Sequence, residues 1–264
     1  MSNKAKIRED AMSLNPMDDA LFQKMAENKD FCQEILQVIL GDKRLVVLIA
    51  NPQFMVKNLQ GRSCLLDAQC QLGDGKIVNI EIQKADDDDH QRRVRFNGAL
   101  LTANLTDPGT KFMQVPNVII VFISKFDIFK SRRSLYHVDR VIRETGKIVE
   151  NCFTEIYVNA EVDDNSDVLE LMNVFVKDKV YDDVKYPVTS ACKRRYKTTE
   201  EGVREMCEII ERNRAEGREE GFAEGKASLI INMLKNKMKP EQIAQIAQMT
   251  VEQIIAIGKK AAVL

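Results

Sequence analysis

The chain has 264 residues, 44% hydrophobic and 30% charged, and a formal net charge of −1. That length can bury one full α/β core and carry a small appendage, and the near-neutral charge means that any binding of nucleic acid must rest on local patches. The longest apolar runs, such as Val118 to Ile123, are too short to cross a bilayer. No apolar stretch follows the first lysines, so neither a membrane anchor nor a secretory leader is expected. The six cysteines contain no CxxC pair and the chain has only two histidines, His90 and His137. A zinc ribbon and a disulfide framework are therefore excluded, and a reducing cytoplasm is the expected compartment.

In chain order, residues 18–40 read as an amphipathic helix through Leu21, Phe22, Met25, Ile35, Leu36 and Ile39, ended by Gly41-Asp42. The stretch 43–62 has no clear pattern; Asn51-Pro52 breaks it, and one strand is expected somewhere within it. Residues 63–72 and 76–84 alternate as two strands around Gly73-Asp74-Gly75. A basic helix follows over 88–105, its start marked by the acidic run Asp86 to Asp89. Val115 to Phe126 has the continuous apolar character of a central strand. Residues 134–160 read as a strand pair around Glu144-Thr145-Gly146, and 167–177 as a helix. Beyond Pro187 a long charged helix runs over 199–238, and Pro240 opens two short helices around a core of Ile243, Ile246, Ala247, Val251, Ile254 and Ile255. The organisation expected is a main domain over 1–190, a charged helical linker over 191–228 and a small helical element over 229–264.

The hairpin over 63–84 carries the functional argument. Even positions on both strands are mainly apolar (Cys64, Leu66, Ala68, Cys70; Val78, Ile80, Ile82), and odd positions mostly polar (Asp67, Gln69, Gln71; Asn79, Glu81, Gln83). A three-residue loop with Gly75 in a left-handed position pairs Leu72 with Lys76. Counting back from that pair sets Asp67 opposite Glu81; a two-residue loop would oppose apolar and polar faces. Two carboxylates facing each other on a sheet are destabilising. A divalent cation between them removes the cost, with water and phosphate oxygens completing its shell, as in a magnesium site.

These residues sit in blocks that resemble the recombination-promoting nuclease and transposase family of PD-(D/E)xK enzymes. The matching pieces are Asp19-Ala-Leu-Phe22, Leu66-Asp67, Ile80-Glu81-Ile82-Gln83, Arg92-Arg93-Val-Arg95-Phe96-Asn97, Pro116 to Phe129 and the glycine-spaced tail. The resemblance implies a restriction-endonuclease-like α/β fold, a mixed sheet flanked by helices with an all-helical C-terminal tail. It implies a magnesium-dependent DNA endonuclease serving recombination, mobile elements or phage defence. By the same resemblance Asp67 and Glu81 would be metal ligands, and Asp19 either the third, the acidic residue of the first helix, or an N-terminal carboxylate favoured by the helix dipole. Gln83 takes the place of the motif's lysine. The missing positive charge then falls to Arg93 or Lys24. A catalytically inactive DNA-binding or self-assembling module is the alternative.

DNA contacts are expected from Arg93 and Arg95 on the basic helix, of whose first turns at least one cation faces the cleft. The run Lys193-Arg194-Arg195-Tyr196-Lys197 reads either as a phosphate grip or as a solvated linker. Gly217, Gly221 and Gly225, each after a glutamate, mark a close helix approach or a pliable spacer. The last two helices resemble a helix-turn-helix but offer only Lys259 and Lys260 to a groove. Homo-oligomerisation through them is expected.

Overall fold

A computed structural model describes residues 2–58 and 61–263. It divides into two compact units, Met1–Cys207 and Glu208–Leu264. In the first, six strands form one sheet: β1 (Val47–Val56), β2 (Cys64–Leu72), β3 (Ile77–Gln83), β4 (Val118–Ser124), β5 (Leu135–Val138) and β6 (Phe153–Asn159). Their order is β1-β2-β3-β4-β6-β5. β3, β4 and β6 run parallel, and β1, β2 and β5 pair antiparallel to their neighbours. Helices pack on the sheet, which makes this the restriction-endonuclease-like α/β fold.

Local chemistry accounts for the elements. β4 lies between two parallel neighbours, and all of its residues are buried, as its unbroken apolar run requires. β1 runs straight through Pro52 instead of stopping there; it is an edge strand, where a missing N–H is tolerated. The helix expected over 18–40 is two, α2 (Asp19–Ala26) and α3 (Lys29–Ile39). Asn28 divides them by accepting a hydrogen bond from Asp30 N (3.0 Å). The helix α4 (His90–Asn104) starts at Asp89, which accepts from Arg92 N (3.0 Å). Gly98 lets α4 approach the sheet closely, since a Cβ there would stand 2.3 Å from the Phe153 ring.

Two helices of this unit were not foreseen. The first, α1 (Asn3–Ser13), buries only Ile7 and Ala11, too sparse a pattern to stand out. The other, α6 (Pro187–Thr198), follows α5 (Asp167–Val176) and occupies what was read as the start of a linker. Glu34 of α3 accepts from Val188 N (3.0 Å) and Thr189 N (2.7 Å), pinning α6 to the fold. The first unit therefore extends beyond residue 190 to Cys207.

In the second unit, the latter part of α7 (Glu200–Lys235) packs with α8 (Pro240–Ala247) and α9 (Val251–Lys260). Its core is Ile230, Leu234, Ile243, Ala244 and Ile254; Ile246, expected inside, is exposed. Thr250 and Gln253 close a capping box at the start of α9. No described helix is long and apolar enough to cross a membrane.

Candidate active site

The β2–β3 ladder has the register that the loop length implies. Leu72 N donates to Lys76 O (2.9 Å), Gly75 has φ +86°, and Gln71↔Ile77 through Ala68↔Ile80 follow in order. Asp67 and Glu81 are the next pair along. There the backbone ladder gives way to side chains: Ile82 N donates to Asp67 Oδ2 (2.9 Å). The Asp67 N–H in turn hydrogen-bonds the Glu81 carboxylate.

Strict alternation fails at Asp67. Gln69 and Gln71 line a cleft with Leu105, beyond the end of α4, while Cys70 meets Cys32 of α3 on the other face. Past Asp67, the even residues Leu66 and Cys64 pack with Val94 and Leu101 of α4. The neighbouring strand turns at the same level: Gln53, between the pairs Pro52↔Ala68 and Phe54↔Leu66, has φ +51°. Such left-handed backbone costs on the order of 1–3 kcal/mol in a non-glycine residue. The two strands switch faces together, and the switch places Asp67 beside Glu81.

Glu81 is fully buried, not solvent-facing. Its Oε1 accepts from Asn79 Nδ2 (2.9 Å) and its Oε2 from Arg93 Nη2 (2.9 Å). Arg93 Nη1 also donates to Gln83 Oε1 (2.8 Å), so one guanidinium bridges the two β3 side chains. Gln83 Nε2 donates to Ala85 O (2.9 Å) and Asp87 Oδ1 (3.2 Å), which fixes its amide. Burial raises the pKa of Glu81, opposed by Asn79 and Arg93. Asp67 is pushed up to about 7, by burial first and then by Glu81. Asp19 at the start of α2 is also raised, by burial and by Asp18, and its charge in turn raises Asp67.

Among the described residues no three His, Cys, Asp or Glu side chains stand close enough together to enclose an ion. The donor set is thus the pair Asp67 and Glu81, with Asp19 nearby. Two hard carboxylates, with water and phosphate as the other ligands, fit a hard divalent cation.

The two candidates for the missing charge separate cleanly. Arg93 lies in the site, whereas Lys24 pairs with Glu27 (2.7 Å) and Glu205 (3.6 Å). Lys84 turns away to Asp18 (2.5 Å). Beside Arg93 opens a cleft of ≈ 570 Å³ lined by Arg62, Cys64, Arg92 and Phe96, among others. Arg95 is exposed two residues further along α4, about 200° round the helix from Arg93. His90 is a core residue, stacked on Phe122 and Phe126 with ring centroids 5.5 and 4.9 Å apart.

The basic run over 193–197 lies in α6, which buries Lys193 and Lys197 and leaves Arg194 and Arg195 half exposed. Lys193 is fully buried and donates to the carbonyls of Val174 (2.8 Å), Lys177 (2.5 Å) and Val180 (3.2 Å), closing the C-terminal end of α5. Lys197 is buried against Leu14 O and Asp178. Arg194 pairs with Asp183 (2.9 Å) and Arg195 with Glu205 (2.9 Å). Lys193 and Lys197 serve the fold, while Arg194 and Arg195 stay at the surface in ion pairs. Asn79, fully buried and bonded to Glu81, is a site residue whose only mark in the sequence is its place two residues before Glu81.

An antiparallel hairpin delivering Asp and Glu-x-Gln to one point of a mixed sheet defines a nuclease of the PD-(D/E)xK class. A model of the PD-(D/E)XK nuclease family transposases matches residues 16–183, well over half of the chain, and the chain belongs to that family. Such enzymes typically use divalent metals, and membership points to nuclease-type activity on DNA. Comparisons with curated proteins and with solved structures returned no significant match.

Proposed function

We propose that this protein is a magnesium-dependent DNA endonuclease whose active site is Asp67, Glu81 and Gln83, with Arg93 in the role of the motif's lysine. The observation that carries this reading is the fully buried Glu81 carboxylate beside the half-buried carboxylate of Asp67, at adjoining positions of β3 and β2. Such a pair costs folding energy unless a cation joins it. A bound magnesium ion supplies charge neutralisation and an acidified water.

The chain's own residues do the rest. Asn79 and the Asp67 N–H fix the Glu81 carboxylate, and Ile82 N fixes that of Asp67. Gln83, held through its own carbonyl by Arg93, orients a water but brings no charge. Arg93 brings the charge, positioned to stabilise the negative charge that develops on phosphate. Asp19 adds a third carboxylate at the edge of the site.

One observation favours a second reading. The Arg93–Glu81 ion pair (2.9 Å) places a cation on one of the two carboxylates, and a fold that binds DNA without turnover could be neutralised this way. Plasmid DNA incubated with and without magnesium, beside the Asp67→Ala variant, separates the two. Magnesium-dependent nicking lost in the variant supports the endonuclease. DNA binding with no cleavage by the parent chain supports the inactive module.

A further inference from the structure

We infer that the loop over 125–134, between β4 and β5, is a preorganised grip for the DNA backbone, presenting Lys130, Arg132 and Arg133 at the active-site end of the sheet. The inference rests on the reading of the chain as a DNA-acting protein, and it names a surface that the basic run over 193–197 does not supply.

The loop's place follows from the register. Gln83 pairs with Ser124, Ser124 with Asn159, and Asn159 N donates to Ser134 O (2.8 Å). The loop leaves β4 at Lys125, whose N–H donates to Gln83 O (2.9 Å), and crosses the end of β6 to enter β5. At ~4.8 Å per strand, β5 stands about 14 Å from β3. That spans roughly four nucleotides of one strand at ~3.4 Å per step, so a duplex seated at Gln83 has backbone within reach of the loop.

Its construction is unusually complete for an exposed loop. The Asp127 carboxylate accepts from Phe129 N (3.2 Å), Lys130 N (2.9 Å), Arg132 N (2.8 Å) and Tyr136 Oη (2.7 Å). Tyr136 Oη accepts from Ser131 N (3.2 Å) and Arg133 N (3.1 Å). Phe129 anchors the loop edge-on against Tyr136 and Tyr157, each 5.0 Å away between centroids. Lys130 and Arg132 both take left-handed backbone, φ 55° each, a conformation that side-chain-bearing residues adopt only where the surroundings enforce it.

All that order holds up three side chains that do nothing for the fold. Lys130, Arg132 and Arg133 are exposed, and none of their side chains has an ion pair or hydrogen bond among the described residues. Three of the nearby acids are already engaged: Asp127 by the loop backbone, Glu161 by Lys125 (3.5 Å), Asp164 by Ser134 and Ser166. Three unpaired cations on a rigid support match a polyanion whose charges have fixed spacing, and preorganisation lowers the ordering cost of each contact.

The test is binding of a labelled duplex to the full chain in metal-free buffer, where no cleavage interferes, as a function of salt. The triple variant Lys130→Gln, Arg132→Gln, Arg133→Gln should lose affinity by at least about tenfold at 0.1 M salt and reduce the salt slope by about three. The charge-keeping variant Lys130→Arg, Arg132→Lys, Arg133→Lys should restore binding, which a folding defect would not allow. Parent-like affinity and slope in the glutamine variant overturn the grip, as does a parent chain that binds anionic vesicles but not DNA. Magnesium-dependent cleavage by the parent is scored separately, so an inactive enzyme that binds DNA through the loop leaves this inference standing.

Discussion

Lys193 and Glu81 are both fully buried ions, and the fold treats them in opposite ways. Lys193 sits among three backbone carbonyls, and burial, with Lys197 adding to it, lowers its pKa to about 8. Its partners are neutral oxygens that need a donor, so removing the charge harms the structure and nothing else. Glu81 has Asn79 and Arg93, but its neighbour on β2 is a second, half-buried carboxylate. The first arrangement is closed. The second sets two carboxylates, with Asp19 nearby, against a single guanidinium, and such an excess of carboxylates marks a site for something that comes from outside.

The largest effects that test this contrast are on the carboxylates. Asp67→Ala and Glu81→Ala should each abolish cleavage, a loss of at least about 10³-fold by the scale of removed active-site groups. Calorimetry should show magnesium affinity weakened by both. Lys193→Met should do the reverse: urea melts should show stability lower by about 1–3 kcal/mol for carbonyls left without their donor, with turnover per folded molecule unchanged. If Lys193→Met spares stability but impairs cleavage, the contrast collapses.

Next come the groups around the carboxylates. Arg93→Gln and Gln83→Ala should each lower the cleavage rate by about 10²–10³ while leaving magnesium binding nearly intact, because both carboxylates remain. Gln83→Lys tests the motif from the other side and should retain activity. Parent-like rates in Gln83→Ala would make that residue only a support for Arg93.

A smaller effect concerns pH without metal. Asp67 has its pKa raised to about 7 in the folded chain against an ordinary value of 3.8. The folded state then holds a proton that the unfolded state has lost, so this group's stabilisation is complete below about pH 4 and disappears as pH rises through about 7. Melting temperature in chelator should fall across that window, and Asp67→Asn should flatten the fall and raise stability near pH 8. The smallest effect is at Arg194 and Arg195. Replacing both with Gln should leave duplex affinity and its salt slope unchanged, since each is held by a carboxylate.

What the sequence reveals differs between the same two regions. The hairpin register was legible because it is local: loop length and alternation together allow one answer. The face switch at Asp67 was not, because its cause lies in Gln53 on the next strand. The resemblance left Arg93 and Lys24 as candidates for the missing charge, and only the fold shows that Arg93 pairs with Glu81 while Lys24 pairs with Glu27 and Glu205. The run 193–197 misled for a physical reason. A lysine that caps a distant helix end looks, in sequence, the same as one that waits for phosphate, and only the carbonyls of residues 174–180 tell them apart. Asn79 was hidden because one amide on a polar strand face resembles any other.

The central claim is that Asp67 and Glu81 share one divalent cation, and calorimetric titration of magnesium at pH 7 in two buffers of different ionisation enthalpy tests it most directly. At pH 7 Asp67, with its pKa raised to about 7, carries a proton in part of the molecules, and an ion entering beside Glu81 displaces it. The account predicts binding of magnesium with proton release in the parent chain, and loss of that proton release in Asp67→Asn. Binding whose proton count is the same in both proteins, or no binding by the parent, would contradict it.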